Sequence, residues 1–174
     1  GRLDTAARSL ALLNAKTKEE AARLAGDLTA LNQSRKALTE KGKEEAIRII
    51  ETTELKNDRV LVVYLPDCHE SLAGIIAGRI REKYHRPAFV LTGGETSAKG
   101  SGRSIESYSM YEELVKCADL MIQFGGHPMA AGLSIEEKNI EEFRRRLNVN
   151  CTLTDEELRP KIVIDVPMPV SYIT

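Results

Sequence analysis

A strand–helix–strand pattern in the middle of the chain restricts the fold more than any other feature. Val60-Leu61-Val62-Val63-Tyr64-Leu65 is an unbroken run of β-branched and large apolar residues, as a strand buried on both faces requires. Pro66-Asp67-Cys68-His69 makes a loop. Ser71 is placed to cap a helix over 72–84, whose small residues Ala73, Gly74, Ala77 and Gly78 permit close packing on a sheet. A second strand follows over 87–92. Two strands joined by a helix in this order form a right-handed crossover, and the strands are then parallel. The expected class is α/β: a mixed β-sheet flanked by helices.

On the N-terminal side, residues 4–13 read as a short helix with Asp4 or Thr5 as its cap. Thr17, with Glu20 three residues on, forms a capping box for a second helix that runs to about residue 52. Its apolar positions Leu24, Leu28, Leu31 and Leu38 keep helical spacing, but Arg35 and Gly42 interrupt the seam. That pattern suits a long connecting helix packed along a domain or bridging two, with Gly42 as its expected weak point. Beyond the crossover, 93–95 turn the chain, 111–117 form a short helix, and strands flank a Gly-Gly-His turn. An amphipathic helix over 140–147 carries Arg144, Arg145 and Arg146, and a last strand is expected over 161–166.

Composition narrows the partners. With 42% hydrophobic and 29% charged residues the chain is an ordinary globular one. No apolar run is long enough to cross a membrane and no signal peptide opens the sequence, so no membrane partner is expected. Cys68, Cys117 and Cys151 are widely spaced and form no metal-ligand pair, which suits a reduced, cytoplasmic setting. The chain starts at Gly1 without methionine and stops just after an expected strand; it reads as a piece excised from a longer protein. Residues 69–103 hold six Lys/Arg against three acids, and 104–174 hold seven against twelve. A mildly basic face on a neutral body fits a phosphate ligand.

Two glycine-rich segments are candidates for holding that phosphate. In Phe124-Gly125-Gly126-His127-Pro128-Met129-Ala130-Ala131-Gly132 the paired glycines let the backbone approach a ligand closely. His127 then meets a phosphate oxygen as a donor. A lone Gly-Gly-His is better explained by a tight hairpin with a space-filling histidine, but the whole string, with a second glycine-rich segment upstream, favours the site. That second segment is Lys99-Gly100-Ser101-Gly102-Arg103-Ser104. Its glycines are expected to free backbone N–H groups, with Ser101, Arg103 and Ser104 as side-chain donors. Arginine is the residue best shaped to grip two phosphate oxygens. The spacing is neither a P-loop nor a dinucleotide fingerprint, and by itself the segment is explained at least as well by a glycine-rich edge strand with a surface arginine. His69, in a loop after a buried strand, is a further candidate, although beside a helix start the reading as a cap is favoured. No clustered Asp and His set for a two-metal site and no nucleophile elbow is present, so no metal ligand is assigned.

Taken together, Gly1-Arg2-Leu3-Asp4, the run from His69 to Arg79, Lys99 to Ser104 and Phe124 to Gly132 resemble the RecJ family of the DHH phosphoesterase superfamily. The resemblance implies a 5′→3′ single-stranded-DNA exonuclease of DNA repair and recombination. Two Mn or Mg ions are expected in the full-length enzyme and none in this chain, which alone should be inactive. It divides the chain into the tail of a catalytic DHH domain (1–16), a connecting helix (17–57), a DHH-associated substrate-binding domain (58–150), and a linker with the first strand of an oligonucleotide-binding domain (151–174). It implies that catalytic His127 faces the scissile phosphate. Ser101, Gly102, Arg103 and Ser104 hold the 5′ end, Arg2 approaches the same phosphate, and Gly125, Gly126 and His69 complete the site. Single-stranded DNA is the implied partner, with a helicase or single-strand-binding protein alongside. The alternatives are a DHH-type nanoRNase or nucleotide phosphatase, and a stand-alone nucleic-acid-binding module. The long helix argues against the first, because those enzymes join their domains by a short linker.

Overall fold

The computed structural model describes residues 6–162 and 165–172. Helix α1 (Ala7–Leu13) leads to α2 (Lys18–Thr52), which starts where the capping box places it. Thr17 Oγ1 accepts from the Glu20 N–H at 3.1 Å, and Glu20 Oε2 accepts from the Lys16 N–H at 3.0 Å. The crossover follows as β1 (Leu61–Leu65), α3 (Glu70–Tyr84) and β2 (Ala88–Thr92), with β1 and β2 parallel from Leu61↔Ala88 to Leu65↔Thr92. Then come β3 (Ala98–Arg103), α4 (Met110–Val115), β4 (Met121–His127), β5 (Ala130–Ile135) and α5 (Ile140–Val149). The five strands form one mixed sheet in the order β1-β2-β3-β5-β4, antiparallel from β2 onward. Among the described residues no helix is long and apolar enough to cross a membrane.

Strand alternation divides the apolar residues between two cores. Leu61, Val63, Leu65, Ala88 and Val90 point to one face, against Ala46 and Ile50 of α2 and the Leu72, Ala73, Ile76, Ala77, Ile80 stripe of α3. Val62, Phe89, Leu91, Leu133 and Ile135 point to the other, against Met110 and Leu114 of α4 and Phe143 and Leu147 of α5. Phe89 and Phe143 meet edge-to-face, with centroids 5.4 Å apart, a geometry worth about 0.5–1.5 kcal/mol beyond the area buried. The sheet is thus the middle of three layers, and β1 and β2 are apolar on both faces for that reason.

Several expectations need correction. Gly42 does not weaken α2: a Cβ there would stand 2.6 Å from Ile76 Cδ1, so the glycine lets α3 approach. Ser71 does not cap α3; His69 does. The Gly-Gly-His segment is not a turn but the end of β4, and Pro128 and Met129 make the turn into β5. Of the strand expected over 161–166, residues 161, 162, 165 and 166 are not extended into a sheet, and 163–164 lie outside the described residues, as do Asp4 and Thr5. Leu153, in the stretch read as linker, is buried in the α4/α5 core.

One side chain ties the C-terminal helix to the start of the sheet. Asn148 Oδ1 accepts from the Arg59 and Val60 N–H groups at 2.9 and 3.0 Å, and its Nδ2 donates to the Val60 carbonyl at 3.0 Å. Asn148→Ala strands two backbone donors in a half-buried setting. It should cost about 1–3 kcal/mol, read as a lower urea midpoint at unchanged m-value.

Candidate functional site

Helix α3 lies over β2 and β3 and α2 over β1, while on the same face Gly132 of β5 and Gln123, Gly125 and His127 of β4 are exposed. The small residues of α3 set the distance. A Cβ on Gly74 would lie 2.7 Å from Arg103 Nη2 and 2.9 Å from Ser101 Oγ, and one on Gly78 would lie 4.0 Å from Arg103 Cγ. Ser101 and Arg103 therefore project from β3 toward α3. Sheet register then places their neighbours on that face in three rows: Arg103–Ala130–His127, Ser101–Gly132–Gly125 and Lys99–Ser134–Gln123. Arg103 and His127 are two strands apart, about 10 Å, and successive rows are about 7 Å apart.

The predicted residues fall into three groups. His127 and Gly125 lie exposed on β4, an edge strand. Ser101 and Arg103 lie half-buried beside α3, where Arg103 Nη1 donates to Ser101 Oγ at 3.2 Å and to the Gly102 carbonyl at 2.7 Å. Gly126 shapes the site by its backbone: with φ at 155°, a Cβ would stand 2.4 Å from the Ala130 carbonyl oxygen and 2.6 Å from Ala131 Cα. A side chain at that position is excluded, so the close hairpin that presents His127 depends on glycine.

The other candidate residues are placed elsewhere. Gly102 turns to the opposite face, where a Cβ would meet Met110 Sδ at 2.4 Å. Because β3 is paired on both sides, its amides serve the sheet and are not released to a ligand. Ser104 is buried, and its hydroxyl donates to the Tyr108 carbonyl at 2.5 Å; it stabilises the loop after β3 and does not reach the face. His69 caps α3, Nδ1 accepting from the Ser71 N–H at 3.2 Å with Ser71 Oγ 2.7 Å away. Arg2 lies outside the described residues.

Residues not singled out beforehand complete the surface. A cavity of about 670 Å3 opens over the third row, walled by Lys99, Gln123 and Ser134, with Glu70 at the start of α3 opposite. The signal was present in the alternation of Lys99-Gly-Ser-Gly-Arg103 and of Gln123-Phe-Gly-Gly-His127, which puts every second residue on one face. Most of the arginines, by contrast, are engaged elsewhere. Arg79 pairs with Glu82 at 3.0 Å, and Arg86 Nη1 donates to the Lys56 and Asp58 carbonyls at 2.8 Å. Arg144 grips Asp58 at 2.6 Å, which raises the pKa of its guanidinium. Arg146 joins Asp119 and Glu142 at 2.7 and 2.9 Å; with Arg145 it draws the Glu142 carboxyl down to about 2. Among the described residues, Arg103 is the basic side chain in the row of His127, and Lys99 stands two rows away on the same face. Among the described residues no group of three His, Cys, Asp or Glu is arranged to hold a metal ion, so this part of the chain does not fit a metal centre.

The two neighbouring glycines give a direct contrast. Gly125→Ala adds a Cβ with nothing within 4 Å and should leave the melting temperature unchanged or slightly raised. Gly126→Ala should cost about 1–3 kcal/mol from strain alone, seen by calorimetry of both variants.

A family model described as the DHHA1 domain matches residues 57–152. Three curated relatives are single-stranded-DNA-specific exonucleases RecJ. The Salmonella typhimurium protein is 39% identical over 97% of this chain and 31% of its own length, and the Escherichia coli protein 38% over 100% and 32%. The Bacillus subtilis protein is 35% identical over 100% and 22%. The chain therefore spans less than a third of these relatives. Two crystal structures superimpose: RecJ of Thermus thermophilus in complex with Mg2+ (TM-score 0.76, 32% identity, 86% of this chain and 23% of that one), and an exonuclease RecJ bound to manganese (TM-score 0.77, 30% identity, 90% and 39%). The chain belongs to the DHHA1 domain family, and the relatives it resembles within it are the RecJ exonucleases.

Proposed function

We propose that this chain is the substrate-holding part of a 5′→3′ single-stranded-DNA exonuclease, and that the uncovered sheet face binds the strand through its phosphates. One observation supports this above the others: Arg103 and His127 stand in one register row, about 10 Å apart, with only Ala130 between them. The row leaves room for a phosphate. Arg103 and Ser101 hold the 5′ phosphate from the α3 side, with Arg2 reaching the same group, while His127 donates to the scissile phosphate from the edge strand. The backbone of Gly125 lies open beneath the strand. Gly126 keeps the hairpin tight enough to aim the imidazole.

His127 acts as a positioned donor toward oxygens that gain negative charge as the phosphodiester is broken. The two metal ions of the full-length enzyme, manganese or magnesium, are held by residues outside those described. The enzyme works in the cytoplasm, in DNA repair and recombination, beside a helicase or a single-strand-binding protein.

Binding by the chain should be weak and salt-dependent. Anisotropy with a 5′-phosphorylated single strand should give a slope of log affinity against log salt of roughly −1 to −3. A slope near zero would mean that phosphates are not what is held. In the full-length enzyme His127→Ala should lower kcat by on the order of 10²-fold with a much smaller effect on strand affinity. Arg103→Ala should weaken binding first. A His127→Ala variant whose melting temperature collapses would instead make this histidine a structural residue.

A further inference from the structure

We infer that the face carries a second phosphate subsite, formed by Lys99 and Gln123 at the far end of a glycine floor from Arg103 and His127, which holds a phosphate further along the same strand. The inference rests on the phosphate-binding role proposed for this face and assigns it an extent.

The cavity is the first reason. Its walls include Lys99, Gln123 and Ser134 together with Gly125 and Gly132 of the middle row, and not His127, so the concave part of the face extends past Gly125 to side chains that have so far been given no role. Lys99 is exposed, and its Nζ donates to Ser134 Oγ at 3.0 Å, while Ser134 itself is only 3% exposed. A buried hydroxyl thus tethers the ammonium at the cavity wall and leaves it two further N–H donors. Gln123 is exposed in the same row and adds amide donors from the edge strand.

The floor between the two ends is the second reason. A Cβ on Gly125 would meet nothing within 4 Å, and one on Gly132 only the Gly100 carbonyl oxygen at 3.8 Å. Neither glycine is required by packing, unlike Gly126, Gly100 and Gly102, whose Cβ atoms would all collide within 3 Å. Their common effect is a channel one row wide joining the two polar ends. Glu70 stands on the α3 wall of the cavity and repels phosphate, which keeps the strand's backbone on the Lys99 side. From Arg103 to Lys99 the span is four residues of β3, about 13 Å. A single phosphate does not bridge that distance, so the ligand that uses both ends is an oligonucleotide and not a mononucleotide.

The test is a chain-length series. Thymidine 5′-monophosphate and 5′-phosphorylated oligothymidylates of two to six nucleotides are titrated into the 174-residue chain and followed by 15N NMR. Affinity should rise by about tenfold between the monomer and the tetramer, the gain of one charge-assisted contact. The Gln123 side-chain amide should shift only with the longer ligands. Lys99→Gln should abolish the length gain, leave the mononucleotide affinity intact, and flatten the salt slope for the tetramer by about 0.7, the loss of one phosphate contact on a single strand. Gly132→Ala, whose Cβ would meet only the Gly100 carbonyl oxygen at 3.8 Å, should reduce the same gain at an unchanged melting temperature.

Equal weakening of monomer and tetramer by Lys99→Gln would reduce Lys99 to a contributor to the general field and overturn the subsite. A length gain that survives both variants would do the same. If the mononucleotide binds and length adds nothing, the subsite fails while the phosphate-binding role stands. If neither monomer nor tetramer moves any resonance of the face, both fail together.

Discussion

The approach of α3 to β3 governs the rest of the structure. At Gly74 the helix lies so close that a Cβ would stand 2.7 Å from Arg103 Nη2 and 2.9 Å from Ser101 Oγ, so a side chain there would push both from their places beneath it. This contact fixes where the helical cover ends, and therefore where the open half of the face begins. It also orders Arg103. The guanidinium is bonded to Ser101 Oγ and to the Gly102 carbonyl, so less rotamer freedom remains to be lost when an anion arrives.

The two faces of the sheet divide the work. The α4/α5 face is apolar throughout and holds the Phe89–Phe143 pair; it makes the sheet rigid. The other face is apolar only where α2 and α3 lie on it, and becomes polar and glycine-rich on β3, β5 and β4. A sheet packed on one side and half bare on the other presents its polar side chains from a fixed scaffold, which suits the phosphate-holding role proposed for the face. Within the described part of the sheet, positive φ falls at Gly126, in the strand end that carries His127, in keeping with the tendency of unusual backbone to collect at functional positions.

Charge is used sparingly. Arg144 and Arg146, which give α5 its basic appearance, are occupied by Asp58, Asp119 and Glu142 and stabilise the scaffold. What faces the open surface is a small number of donors, Lys99, Ser101 and Arg103 on β3 and Gln123 and His127 on β4.

The sequence by itself determined the α/β class, the crossover, the capping box and full length of α2, and the two segments that meet at the site. Those features depend on local periodicity and on side chains reaching their own backbone. Sequence alone did not show that the glycines of 99–104 are spent on pairing in a central strand, or that Ser104 turns inward to Tyr108. The tertiary structure decided these, because the face toward which a strand residue points, and whether its amides are free, depend on neighbours far away in the chain. Lys99 and Gln123 lie 24 residues apart in sequence; they came into one row only when β5 paired with both β3 and β4.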